Sequence, residues 1–79
     1  MIYYVAMPFR PSESGLVAGE PMECASEAAA IRHAEAMSCR ENCVGAVAFS
    51  RRGDPDLGEF EDAVILKTFG TVPDDFWLA

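Results

Sequence analysis

Basic residues are scarce in this chain. Six Lys and Arg stand against thirteen Asp and Glu among 79 residues, a formal net charge of −7. Binding a phosphate backbone draws on basic side chains that displace condensed counterions, so nucleic acid is not an expected partner, and neither is an anionic membrane surface. Long apolar runs are also missing, since no stretch reaches the roughly 18 consecutive apolar residues of a membrane-crossing helix. The opening residues Met1 to Arg10 lack a basic leader followed by an apolar stretch and a small-residue cleavage site, so a cytoplasmic protein is expected. Cysteine is limited to Cys24, Cys39 and Cys43. An odd count suits free thiols in a reducing compartment better than a disulfide scaffold.

Catalytic signatures are absent in the same way. Gly15-Leu16-Val17-Ala18-Gly19 is not followed by Lys and Ser or Thr, as a phosphate loop requires. No G-x-S-x-G elbow is present, and there are no repeats or low-complexity tracts.

Apolar material, in contrast, is plentiful at 51% of residues, enough to offset the ordering entropy that keeps poorly apolar chains unfolded. The length predicts a single small α+β domain over residues 1–79. A chain of this size buries only about 60% of its unfolded surface, and its core supplies roughly 3–5 kcal/mol, so support from a second copy is expected.

Ile2-Tyr3-Tyr4-Val5-Ala6-Met7 is β-branched and aromatic and reads as a strand that Pro8 and Pro11 bring to an end. After the turn formers of 10–15, Leu16 to Met22 reads as a returning edge strand, weakened by Gly19 and Pro21. Ser26 is placed to cap a helix, and Glu27 faces the positive end of its dipole. The helix runs to Arg40, with Ala30, Ile31, Ala34, Met37 and Ser38 on one narrow arc and Asn42 as a stop. Cys43 to Ser50 is apolar on both alternating faces, as in a central strand. Residues 51–58 read as a turn, and Glu59 to Lys67 as the returning strand. Gly70 to Pro73 breaks the pattern, and 74–78 fits one helical turn. The expectation is an antiparallel sheet of three to four strands in the order β-β-α-β-β, with one helix packed on one face.

Several groups of side chains invite a chemical reading. Cys24, His33, Cys39 and Cys43 are potential zinc ligands by type, but C-x8-H-x5-C-x3-C matches no strong ligand spacing. The carboxylates of Asp54-Pro55-Asp56-Leu57-Gly58-Glu59 lack the ligand order of an EF-hand, and turn chemistry accounts for them. No metal or cofactor is therefore expected. His33 is the only histidine, hence the natural proton carrier near neutral pH. Arg51 and Arg52 form an adjacent pair of planar donors suited to a carboxylate or phosphate. Val47 and Phe49 supply a second apolar face to the central strand, and Phe76 and Trp77 are bulky apolar residues that must pack on this chain or on another.

The segment from Ser26 through Pro73, with its Ala-rich helix, Gly45-Ala46-Val47-Ala48-Phe49-Ser50-Arg51 and Phe69-Gly70-Thr71-Val72-Pro73, resembles small bacterial α+β proteins of unknown function. That resemblance brings no activity and carries no catalytic residue over. The opening Ile2-Tyr3-Tyr4-Val5 is similar to small ferredoxin-like ligand-binding dimers, whose His and Asp have no clear counterparts here. The function expected is a non-enzymatic protein–protein interaction or regulatory module, homodimeric through Val47, Phe49, Phe76 and Trp77. The alternative is a small-molecule binding protein or minor enzyme, with a pocket between helix and sheet where His33, Arg51, Arg52 and the hydroxyl of Tyr3 or Tyr4 converge.

Overall fold

A computed structural model describes residues 1–13, 15–54 and 56–73, with Phe60 described through its backbone alone. The expected helical turn at 74–78, with Phe76 and Trp77, lies outside the described residues. In chain order the elements are β1 (Ile2–Ser12), β2 (Gly15–Ala18), β3 (Met22–Cys24), α1 (Glu27–Ser38), β4 (Gly45–Asp54), β5 (Glu59–Phe60) and β6 (Val64–Gly70). The α+β class, the antiparallel sheet and the one described helix agree with the sequence reading, whereas the number and order of strands differ. β1 and β4 pair along residues 2–9 and 45–52 at the centre of the sheet. On its other side β1 carries β2 and β3 in succession, and β4 carries β5 and β6.

Contrary to the expectation that Pro8 and Pro11 end it, β1 continues through both prolines to Ser12. The Gly53 N–H donates to the Met1 carbonyl at 2.8 Å, so this is a bonded pair and the register makes Pro8 and Ala46 a non-bonded one. The missing N–H of Pro8 thus points away from β4. Its carbonyl points the same way and accepts from the Gly19 N–H at 2.8 Å. Three residues later Pro11 turns its nitrogen to the β4 side, where the ladder has already ended at Phe9 and Gly45. Neither proline falls where a ladder donor is needed.

The expected strand from Leu16 to Met22 is two strands. Gly19 divides them, packed so closely on Pro8 that a Cβ there would lie 2.9 Å from the proline Cγ. β4 also runs further than expected, and Arg51 and Arg52 belong to the strand, paired with Tyr3 and Ile2, rather than to a turn. The turn begins instead at Asp54, whose carboxylate accepts from the Asp56 N–H at 3.0 Å and whose carbonyl accepts from the Leu57 N–H at 3.2 Å. Gly58 closes it at φ +69°. The expected return strand from Glu59 to Lys67 is broken at 61–63, and β6 extends to Gly70. Within β6, Lys67 pairs with Ala48 and Ile65 with Phe49, which leaves Leu66 as the extra residue of a bulge.

Ser26 caps α1 as expected, its Oγ accepting from the Ala29 N–H at 3.1 Å. The helix ends at Ser38, with Cys39 as its C-cap, so Arg40 and Asn42 lie beyond the last turn. Its buried arc meets the even-numbered residues of the central strands: Ala6, Ala30, Ala34, Ala46 and Ala48 are all 0% exposed, and Met37 at 3% belongs to the same cluster. Methyl groups on both sides let the helix axis come close to the sheet. Tyr4, Cys24, Ile31, Leu66 and Phe69 pack around this centre. Among the described residues no helix is long and apolar enough to cross a membrane.

Candidate functional site

Strand alternation sends the odd-numbered residues of β1 and β4 to the face away from α1. There Val5 stands between Glu23 of β3 and Phe49 of β4, and Tyr3 stands beside Arg51. Tyr3, Val5 and Met7 are half-buried, as is Phe49, whereas Glu23 and Arg51 are exposed. Together with Pro21 these residues line a broad, shallow hollow of about 500 Å³. Its floor is apolar, and its rim carries one carboxylate and one guanidinium on opposite sides. The Tyr3 hydroxyl is directed to the Met1 sulfur, 3.4 Å away.

Val47 is on this same face, yet it is fully buried. Phe9, at the neighbouring position, is 2% exposed, so this end of the face is closed in the single chain and the hollow lies towards Tyr3 and Arg51.

Arg51 and Arg52, being consecutive in a strand, project to opposite faces and do not form one clamp. Arg52 lines a different hollow, of about 310 Å³, with Met1, Gly53, Asp54, Glu59 and Glu61. A further hollow of about 460 Å³ is bordered by Arg10, Pro11, Ser12, Val17 and Asn42. His33 is exposed on α1 and lines none of the three. Of the residues singled out from the sequence, the structure therefore brings Tyr3, Phe49 and Arg51 together and leaves Arg52 and His33 elsewhere.

All three thiols are free: Cys39 is exposed, while Cys24 and Cys43 are half-buried. Burial pushes the Cys24 thiol above its ordinary value of 9.0; the Ala6 backbone N–H opposes the shift and the Glu23 charge adds to it. Among the described residues no three His, Cys, Asp or Glu side chains are grouped to hold a metal ion.

The members of the hollow that sequence reasoning passed over are Val5, Met7, Pro21 and Glu23. For Val5 and Met7 the signal was present in the alternation of β1. For Glu23 it was not, because a three-residue strand between Pro21 and the helix cap has no periodicity to read. No protein-family model matches the chain, and no curated protein and no solved structure gives a significant match.

Proposed function

We propose that this chain is a non-enzymatic protein–protein interaction or regulatory module of the cytoplasm, that it acts as a homodimer, and that two copies meet through the sheet face opposite α1. The observation that carries the reading is the apolar floor formed by Val5 and Met7 beside Phe49, half-buried in the single chain and rimmed by charges of both signs. A slab measuring 37 × 26 × 17 Å has a broad face of the size that a stable interface requires, about 800 Å² per partner. A core built from alanines is small, and burying this face adds to it. Sedimentation equilibrium at micromolar concentration tests the reading: a dimer mass is the expected result, and a monomer at every concentration overturns it.

A second reading draws on the same hollow. Its volume lies in the range of ligand sites, and the Arg51 guanidinium and Glu23 carboxylate border an apolar floor, as in a small-molecule binding protein or minor enzyme. Saturable, stoichiometric binding of a small carboxylate with an apolar body, followed by calorimetry and lost in Arg51→Ala, would favour it over the dimer.

A further inference from the structure

Resting on the homodimer reading, we infer that the two copies are held in register by Glu23 of each chain meeting Arg51 of the other, about a two-fold axis that runs along β1. In a face-to-face dimer the axis lies within the interface, so a residue on one side of it meets whatever stands at the same distance on the other side. β1 is flanked by β3 on one side and β4 on the other. Glu23, opposite Val5, and Arg51, opposite Tyr3, are thus each one strand from β1, on opposite sides.

Rotation about β1 carries Glu23 of the second copy over Phe49. From there Arg51 is two residues further along the same strand, about 7 Å, which the length of an arginine side chain spans. The two sheets then pack with their strands nearly aligned, the common geometry for sheet-on-sheet contacts. The same rotation forms the contact twice. An axis running across the strands at Val5 sets Glu23 against Glu23 instead, and like charges are costly between two chains that each carry −7. The rim charges thus favour the axis along β1 over the one across the strands at Val5.

Charge exchange tests this. In E23R the contact becomes Arg against Arg, and in R51E it becomes Glu against Glu. Each variant alone is expected to dimerise at least about tenfold more weakly than the parent chain. Mixing the two in equal amounts recreates both opposite-charge contacts, in a heterodimer visible by native mass spectrometry after mass-tagging one variant. Because both residues are exposed, far-UV circular dichroism of each variant should match the parent. Single variants that dimerise like the parent, or a mixture that yields no heterodimer, overturn this register and leave the homodimer standing. A parent chain that is monomeric overturns the homodimer itself.

Discussion

Gly45 and Gly70 stand opposite each other across β4 and β6, and neither position has room for a side chain. A Cβ on Gly45 would meet the Thr71 carbonyl oxygen and approach that of Phe69 to 2.7 Å. A Cβ on Gly70 would lie 2.5 Å from the Val44 carbonyl oxygen, at a residue already in the left-handed region with φ +67°. These are backbone atoms in a closed ladder, where the Val44 carbonyl accepts from the Thr71 N–H at 2.9 Å, and they cannot step aside. Gly45→Ala and Gly70→Ala are each expected to cost about 2 kcal/mol or more in urea unfolding. Gly58 is the control. It has φ +69° but open space around it, so its alanine variant loses only about 1 kcal/mol. Equal losses at all three positions would contradict the close approach of β4 and β6.

The alanine contact between α1 and the sheet predicts intolerance of added volume. Ala34 and Ala48 are fully buried, and Ala34→Leu adds three carbons at the contact between helix and sheet. A loss of about 1–3 kcal/mol is expected, read as a lower urea midpoint with an unchanged slope. Unaltered stability would mean that the helix stands further from the sheet.

At the start of α1, Ser26→Ala removes the Oγ that accepts from the Ala29 N–H and should cost about 1 kcal/mol, with Ser26→Asp close to neutral. Thermal unfolding of the three chains side by side makes this comparison. A fall in Ser26→Asp as large as that in Ser26→Ala would show that the cap is not the source.

Cys24 gives a pH dependence of definite sign. Its folded-state pKa is raised, so the protonated thiol favours the folded chain; this contribution is complete below the unfolded value and is lost as pH climbs through the folded one. Stability from this group is therefore level through neutrality and declines above about pH 9, and Cys24→Ala should flatten that decline. Alkylation checks the same point, since the half-buried Cys24 should react more slowly with iodoacetamide at pH 8 than the exposed Cys39.

His33 provides a test by silence. It is exposed and lies outside the three hollows, so His33→Ala should change stability by no more than about 0.5 kcal/mol and leave association unaltered. A large effect on either would place the site on the helix rather than on the open sheet face.

What was legible in the sequence follows from local chemistry. The cap at Ser26, the alanine arc of α1 and the strand character of 2–7 and 43–50 are properties of neighbouring residues, and each is found in the fold except that β4 starts at Gly45 rather than Cys43. The misreadings concern prolines, glycines and arginines whose meaning depends on a distant strand. Pro8 ends a strand only if its missing N–H is needed, and whether it is needed depends on the parity set by Met1 and Gly53. Arg51 and Arg52 look like turn residues until Tyr3 and Ile2 pair with them.

The sequence by itself determined that one amphipathic helix packs its methyl-lined side on strands, because helix caps and 3.6-residue periodicity act over a few positions. Only the tertiary structure decided that Tyr3 lies beside Arg51, that Val5 stands between Glu23 and Phe49, and that Arg52 turns the other way. A one-residue change of pairing would have inverted every one of those assignments, since successive strand residues point to opposite faces and the register is set by contacts some twenty to fifty residues apart in the chain.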